Sequence, residues 1–418
     1  MNVAIVNILL FLILFLYFKT KPRTNLCIKF IILEYLISAL FGLFFIEFGD
    51  REYYNLSYYG SFIFYLFFLV SILPLIQFDK VYSFNSNEKF LGFLGTIIFY
   101  GSFLPLIDSL FSLYTMFSSG NLSAYMLNAH DARFVTNAKN ISNIFVDISI
   151  KTAYYCRAFL PLLLMYYLNY YKKANVKVWG ILITQISLSI TSLTTSSRFM
   201  LADFAITYIF TYFLLYDYLC DYAKQFLKKL FKYGGIVLIG VLGVITIGRA
   251  ISMGYVDGVS TLAWVSLYLG EGMLNFNEYA IHEKVFQGAV TSFPIFAPQN
   301  DLQMMQSMTS NEFSDYWQLI WGHDANTFKS VFGDFVCSFG VLYSLVGLLL
   351  FSLFAKHAFR KCGQSFSGLA LIITLMKFSY FGFMYFPYSG VSGNNYMLQS
   401  IVAIIIIYIF ERYGKKTT

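Results

Sequence analysis

The stretch from Tyr58 to Phe78 reads YYGSFIFYLFFLVSILPLIQF and contains no charged residue. A helix of this length can cross about 30 Å of hydrocarbon, and a helix pairs its backbone polar groups within a single segment. Comparable charge-poor runs recur from the beginning of the chain to its end. The stretch therefore predicts a membrane-spanning helix, and its recurrence predicts a polytopic membrane protein.

The composition agrees with this prediction. The 418 residues are 58% hydrophobic and only 12% charged, which excludes an ordinary soluble domain. We predict an all-α fold in which residues 1–418 form a single integral membrane domain with about eleven spans. These run approximately from Asn2 to Tyr17, Cys27 to Ile46, Tyr58 to Phe78, Phe90 to Ile107, Ile144 to Tyr167, Val178 to Leu193, Phe199 to Tyr216, Gly234 to Gly248, Ser330 to Phe354, Ser367 to Phe386 and Gln399 to Phe410.

The orientation follows from the lysines and arginines, most of which fall in alternate connections between the spans. The positive-inside rule assigns those connections to the cytoplasm. Two long polar loops, residues 108–143 and 249–329, are then extracytoplasmic. The net charge of +7 is explained by the cytoplasmic connections, so it predicts contact with anionic membrane lipids and no binding of nucleic acid.

Four cations lie within the predicted spans or at their outer ends: Arg157, Arg198, Arg249 and Lys377. An ionisable group in a membrane is costly and usually faces a cavity or a partner. Several arginines converging on one outer cavity would suit a diphosphate, because guanidinium groups bind phosphate oxygens in pairs.

A structural role is the alternative for each of these cations. Arg198 would pair with Asp203, and Arg157 with Asp147 or another buried carboxylate. Arg249 would complement the negative end of a helix dipole.

The second loop also offers candidate general bases. Glu271 and His323 stand beside glycines near predicted helix ends, and other carboxylates and histidines of the two loops are alternatives, as is a role as solvated loop residues. Tyr268 belongs to a set of outer aromatic residues that suit stacking on sugars or, alternatively, an aromatic belt at the lipid headgroups. The five cysteines are scattered singly, so neither a disulfide framework nor a metal site is predicted, and no cofactor is implied.

The stretch NTFKSVFGDFVCSFGVL, from Asn326 to Leu342, resembles the Wzy-type oligosaccharide repeat-unit polymerases of the O-antigen polymerase family. That family typically has an Asn, an aromatic residue, a Thr or Ser, an aromatic-rich run and an aromatic-Gly pair. The entry from Ser196 to Arg198 is also similar to the family. The layout resembles the family over nearly the whole chain, whereas the match of individual residues is confined to these two patches. The matching positions of the first patch, called the closing motif below, are Asn326, Phe328, Ser330, Phe332, Phe335, Phe339 and Gly340.

The related O-antigen ligases place a His directly before the Asn, where this chain has Ala325. His323 stands two residues before the Asn and is not the equivalent residue. The departure favours a polymerase over a ligase.

The resemblance implies a metal-independent glycosyltransferase of the GT-C type in the bacterial inner membrane, with its active site facing the periplasm. Donor and acceptor would be oligosaccharides linked to undecaprenyl diphosphate, and a chain-length regulator is a candidate partner. In this interpretation Arg198, Arg249 and Arg157 hold the leaving diphosphate and Glu271 or His323 is the base. The residues interpreted as binding the substrate are Asn326, Lys377 and Tyr268, although Asn326 would serve equally well as a helix cap.

Three alternatives remain open at this stage. An O-antigen ligase would transfer the polymer to lipid A core by the same chemistry. A flippase for lipid-linked oligosaccharides would move the substrate without covalent chemistry, and internal repeats would favour it. A purely structural membrane subunit is the third.

Overall fold

The computed structural model describes residues 2–21, 25–49, 52–76, 78, 80–118, 144–155, 157–194, 198–252, 258–299, 303, 310–322, 329–362, 364–384, 386–388 and 390–413. Every regular element in this part of the chain is helical. One isolated bridge, between Asn85 and Ser365, is the only β-type pairing of these residues. The prediction of an all-α fold is confirmed for the described residues.

The helices are numbered here in chain order. Short 3-10 turns follow α11 and α12, at Ala280–His282 and Pro294–Phe296. The α-helices of the described part are α1 (Asn2–Thr20), α2 (Leu26–Phe48), α3 (Tyr58–Ile76), α4 (Glu88–Gly101), α5 (Phe103–Ser118), α6 (Ile144–Tyr155), α7 (Leu160–Tyr171), α8 (Val176–Thr194), α9 (Arg198–Leu214), α10 (Asp221–Ser252), α11 (Gly258–Glu278), α12 (Ala289–Ser292), α13 (Ser310–Trp321), α14 (Ser330–Cys362), α15 (Phe366–Tyr380) and α16 (Gly390–Tyr413).

Within the described residues, 7 helical stretches are long and apolar enough to cross a membrane. They contain α1, α2, α3, α4 with α5, α8, α14 and most of α16, while α15 and most of α9 are shorter apolar helices. The chain is therefore a polytopic membrane protein. The predicted number of about eleven spans is not reproduced by length and composition in this part of the chain.

The two predicted external loops begin or continue as helix. Residues 108–118 of the first loop belong to α5, and residues 119–143 lie outside the described part. In the range 249–329, α10 extends to Ser252 and α11 follows from Gly258 to Glu278. The range 249–329 is therefore not one continuous polar loop.

The contacts of the chain divide into two compact units, each built from separate segments. Unit 1 comprises residues 1–79, 256–361 and 375–398, and unit 2 comprises residues 80–255, 362–374 and 399–418. Because each unit is made of distant segments, neither could be recognised as a continuous domain in the sequence.

Aromatic side chains form the core of unit 1. Phe64 of α3 contacts Phe276 of α11 and Phe332 of α14, with ring centroids 5.1 Å and 5.2 Å apart. Tyr35 of α2 lies 4.5 Å from Phe68 in the same cluster, and all these rings are buried. Aromatic pairs at such spacings add stability beyond the area that they bury. Phe332 of the closing motif is thus a core residue.

Two glycines let α2 and α11 pack at close range. A Cβ on Gly270 would overlap the backbone nitrogen of Gly42, and a Cβ on Gly42 would lie 3.1 Å from the carbonyl oxygen of Gly270. Small residues at a helix interface allow the backbones to approach in this way. The contact explains why α11 lies along a helix that is itself long enough to span the membrane.

The long helix α14 is broken at Gly340, whose φ of 77° and ψ of 165° are not helical. The positive φ favours glycine, and a Cβ at this position would lie 3.0 Å from the ring of Phe286. The sequence predicts one span from Ser330 to Phe354, but Gly340 kinks α14 within that range.

The break at Gly340 leaves carbonyl groups that a regular helix would pair, and a neighbouring segment satisfies them. The N–H groups of Gln287 and Gly288 donate to the carbonyls of Cys337 and Ser338 at 3.0 Å and 2.9 Å. The kink is therefore a bonded feature of unit 1, because irregular backbone at membrane depth is stable only where protein groups pair with it.

In unit 2, α8 packs along both α4 and α5, and α7, α8, α9 and α10 form a second set of neighbours. Gly180 of α8 lies so close to α4 that an added Cβ would be 2.6 Å from the Cα of Phe99. The basic amphipathic pattern from Asp217 to Lys232 predicts a helix on the inner leaflet, separate from the span that follows it. In the structure Asp221 to Ser252 is one continuous helix, α10.

We expect Gly340→Ala to lower the free energy of unfolding by about 1–3 kcal/mol, because alanine is strained at positive φ and its methyl group meets Phe286. Thermal unfolding of the purified protein in detergent measures this. Gly347→Ala on the same helix is the matched control, since no atom of the described residues lies within 4 Å of its added Cβ. We expect the control to be unchanged or slightly stabilised. Equal losses in the two variants would contradict the special role of Gly340.

Candidate functional site

Arg157 lies in a break between two helices of unit 2. α6 ends at Tyr155 and α7 begins at Leu160, with a turn over residues 157–159. Pro161 explains the break, because in a continuous helix it would lack the N–H that pairs with the carbonyl of Arg157 and its ring would clash there. The single span predicted from Ile144 to Tyr167 is therefore two helices.

The guanidinium group of Arg157 forms a buried ion pair. Its Nε lies 3.1 Å from Oδ2 of Asp203, and the two side chains are 3% and 2% exposed. The other carboxylate oxygen of Asp203 accepts a hydrogen bond from Thr207 at 3.3 Å. The structural alternative for Arg157 thus has a specific partner, and a role toward a diphosphate stays a prediction.

Asp203 pairs with Arg157 and lies on the helix that begins with Arg198, so it links the positions of the two arginines. Arg198 is the first residue of α9, and Asp203 follows about one and a half turns further along the same helix. The packing of α7 against α9 therefore brings Arg157 and the beginning of α9 to the same end of unit 2. The side chain of Arg198 lies outside the described part of the structure, so its pairing with Asp203 remains open.

Arg249 stands near the end of α10, and its side chain also lies outside the described part. α10 packs on α9 through Phe231, whose ring is 5.3 Å from that of Tyr212. Further along α10, Ile236 and Ile239 are exposed. Of the three predicted diphosphate ligands, the described contacts thus bring together the positions of Arg157 and Arg198 but not that of Arg249.

Glu271 belongs to unit 1 and lies inside α11, where its side chain is buried. The next residue, Gly272, contacts the carbonyl oxygen of Phe383, and a Cβ on it would lie 3.2 Å from the backbone nitrogen of Ser330. Glu271 is therefore adjacent in sequence to the residue that packs on the closing motif. Glu271 therefore lies in a closely packed helix, which the glycines of this stretch allow, and not in the polar loop that the sequence predicted.

The end of α11 holds the connection between α2 and α3. The carboxylate of Glu278 accepts hydrogen bonds from the backbone N–H of Tyr54 at 3.0 Å and of Asn55 at 2.7 Å. The side chain of Asn277 accepts from the N–H of Ser57 at 2.9 Å and donates to its carbonyl at 2.8 Å. Glu278, which the sequence offered among the candidate bases, thus has a structural task in this connection.

The helical half of the closing motif is docked on the segment that follows α15. The N–H groups of Ser330 and Val331 donate to the carbonyls of Met384 and Gly382 at 2.9 Å and 2.8 Å. A carboxylate oxygen of Asp334 accepts a hydrogen bond from the N–H of Phe386 at 2.7 Å. These bonds satisfy the first donors of α14, which have no partner within the helix itself.

Three predicted site residues cannot be placed by their side chains. His323 and Asn326 fall in residues 323–328, outside the described part of the chain. Tyr268 lies within α11, but its side chain is not described. Their proposed roles stay predictions.

Lys377 is buried in the last turn of α15, not in the middle of a longer span, because α15 ends at Tyr380. Its Nζ lies 3.4 Å from the hydroxyl of Tyr396 and 4.7 Å from the centre of that ring. Tyr396 in turn packs on Tyr388, at 5.7 Å between ring centres. A cation near a helix carboxyl end is favoured by the helix dipole, so this position has a structural explanation beside the predicted one.

Glu34 of α2 is not among the predicted site residues, because those within the spans are all cations. One carboxylate oxygen of Glu34 is buried without a hydrogen-bond partner among the described residues, as are the hydroxyl groups of Tyr35 and Ser38. A carboxylate in the middle of an apolar run is a signal that the same reasoning could have used.

Comparison with protein-family models, with curated proteins and with solved structures finds no match. The geometry described above and the sequence motifs are therefore the basis for any functional assignment.

We expect Arg157→Met and Asp203→Leu each to lower the free energy of unfolding by about 3–5 kcal/mol, because each leaves one buried charge without its partner. The double variant should recover most of this loss, since it removes both charges. Thermal unfolding of the four proteins gives the coupling.

The matched control is the half-exposed pair of Lys80 and Asp217, 3.4 Å apart in the same unit. The corresponding cycle there should show a coupling of only about 0–1 kcal/mol. A coupling at Arg157 and Asp203 as small as that of the control would contradict a buried, mutually dependent pair.

Proposed function

We propose that this chain is a polysaccharide polymerase of O-antigen or capsule type. It would transfer a glycan from undecaprenyl diphosphate to a new lipid-linked repeat unit at the periplasmic face of the bacterial inner membrane. The observation that carries the proposal is the buried Arg157–Asp203 pair in a helix break, at the end of unit 2 where α9 begins with Arg198. A GT-C-like architecture is part of the proposal.

The leaving group of the proposed reaction is a lipid diphosphate, and its negative charge requires cations at the site. In the proposed reaction the bond between the anomeric carbon and the diphosphate oxygen breaks, and a bond from that carbon to an acceptor hydroxyl oxygen forms. The electron pair leaves with the lipid diphosphate. Fixed cations that face this developing charge lower the barrier, because they need not reorganise during the reaction.

Two features of unit 2 support a diphosphate site beside Arg157 and Arg198. Asp203 holds the Arg157 guanidinium at a fixed position in the absence of substrate. α7 and α9 both begin at this end, and no side chain caps the first turn of α7 among the described residues. Helix amino termini favour anions because their first N–H groups lack helical partners. Arg249 would contribute from the end of α10.

The remaining predicted site residues would bind the glycans and remove the proton from the acceptor hydroxyl. Glu271 is our candidate base, supported by its burial and by the packing of its neighbour Gly272 on the closing motif. His323 is the alternative base. Asn326, Lys377 and Tyr268 would bind the substrate. A chain-length regulator is a proposed partner.

A lipid-linked oligosaccharide flippase is the second candidate, and the interrupted helices favour it. Breaks such as those before α7 and within α14 are also found in transporters, where they line substrate paths. A ligase would differ from the polymerase only in its acceptor. Reconstituted protein separates the three activities, because they give a product ladder, transfer to lipid A core, or movement of unchanged substrate across the bilayer.

We expect purified protein with a matched lipid-diphosphate-linked repeat unit to form a ladder of products. Arg198→Ala should slow ladder formation by about 10²–10³-fold, the usual effect of removing one fixed group that stabilises a developing anion. Arg412→Ala, which removes an exposed cation at the far end of α16, is the control and should form the full ladder.

A full ladder from Arg198→Ala would remove the leading site residue. The absence of a ladder from wild-type protein with matched substrate would refute the polymerase, and movement of that substrate across the bilayer would then establish the flippase.

A further inference from the structure

A cavity of about 370 Å³ lies within unit 1, where α14, α15 and α16 meet the segment around α12. This volume is within the usual range for a small-ligand site, about 300–1,000 Å³. Most of the lining side chains are aromatic or aliphatic. They include Phe293, Phe339, Tyr343, Leu348, Phe378 and Tyr388.

The cavity belongs to the kink of α14. Phe335 and Phe339 line it on one side of Gly340, and Tyr343 and Ser344 line it on the other. The Ser344 hydroxyl donates to the carbonyl of Phe335 at 2.7 Å and so links the two sides of the kink. Since the exposed backbone groups are satisfied in this way, the widened space beside the kink is a stable part of the fold.

The cavity is bordered by a side of α14 that faces away from the protein. Tyr343 lines the cavity and is 77% exposed. Gly347 follows about one turn later, and no atom in the described part of the chain lies within 4 Å of a Cβ added there. Both residues lie inside a stretch that is long and apolar enough to span the membrane. A molecule that enters past Tyr343 and Gly347 therefore comes from the hydrocarbon of the bilayer.

The lining selects for an apolar occupant. The hydroxyl of Ser344 already donates to the Phe335 carbonyl, so it has no proton left for a ligand. A polar ligand would have to give up its hydration for few new hydrogen bonds, whereas burying each methylene group gains about 0.8 kcal/mol. A hydrocarbon chain of a membrane lipid has no polar groups to desolvate, and it gains free energy with each methylene group that it buries.

We propose that this cavity binds part of an isoprenoid chain. The volume would hold roughly twelve water-sized groups at about 30 Å³ each, which is close to two isoprene units. Isoprene units carry methyl branches and rigid flat double bonds, so they fill a broad aromatic-lined space and lose less conformational freedom on binding than a linear acyl chain does. The choice of an isoprenoid rests also on the proposed function, whereas the site for a hydrocarbon chain rests on the cavity alone.

The test uses a polyprenyl phosphate that carries a photoreactive diazirine on its chain, added to the full-length protein in nanodiscs. We expect labelling of residues 335–351 of α14 and 375–378 of α15. Excess unlabelled polyprenyl phosphate should compete, and the same excess of phosphatidylglycerol should not. Labelling confined to other segments, or equal competition by phosphatidylglycerol, would overturn the proposal.

Gly347→Phe is the variant that closes the cavity, because its ring would occupy the open space beside Tyr343 without displacing a neighbour. We expect it to reduce labelling by about tenfold, which corresponds to the burial of about two methylene groups. Gly240→Phe in α10 is the control, since that glycine is equally open and does not line the cavity. Unchanged labelling in Gly347→Phe would contradict the site.

Thermal unfolding of both variants shows whether a loss of labelling comes from misfolding, and the labelled positions of wild-type protein test the site independently. The outcome is also separable from that of the polymerase assay. Labelling of the cavity without a product ladder would refute only the proposed function. A product ladder without labelling of the cavity would refute only the chain site.

Discussion

In the hydrocarbon of a membrane, backbone N–H and carbonyl groups must be paired within the protein, and this constraint decides where the helices of this chain can be interrupted. α14 breaks at Gly340, and the break persists because Gln287 and Gly288 donate to the carbonyls of Cys337 and Ser338. The same contacts fix the segment before α12 against the kink. The aromatic cavity of unit 1 lies at this kink, with Phe335 and Phe339 lining it before Gly340 and Tyr343 and Ser344 lining it after.

In unit 2 the corresponding constraint is that a buried charge needs a partner of opposite charge. A lone guanidinium group with 3% exposure would be costly, and the pairing of Arg157 with Asp203 offsets that cost. Pro161 opens the helix at the same place, and the two features together concentrate polar groups at one end of α7. The paired arginine is therefore compatible with a stable empty protein as well as with the proposed anion site.

The spans of α1, α2, α3 and α14 could be predicted from the sequence because a long, charge-poor apolar run has few stable conformations other than a membrane-spanning helix. α11 could not, because its closeness to α2 depends on Gly42 and Gly270, which are distant in the chain. Pro161 is a signal for the break at Arg157, whereas the apolar run around it predicts one continuous span. The sequence predicts Asp147 or another buried carboxylate as the partner of Arg157 and does not single out Asp203, since it does not show which helices are neighbours.

The burial of Glu271 and Lys377 limits the roles that these two residues could have in the proposed reaction. Both lie inside packed helices of unit 1, where a charge can persist only with nearby polar groups, such as the Tyr396 hydroxyl beside Lys377. A residue held so firmly is suited to orienting a substrate at a fixed position, because its rotamer is decided by the surrounding packing. A base must in addition reach the acceptor hydroxyl directly or through one water. For Glu271 to act as the base of the proposed reaction, a water or the acceptor hydroxyl would therefore have to reach its buried carboxylate.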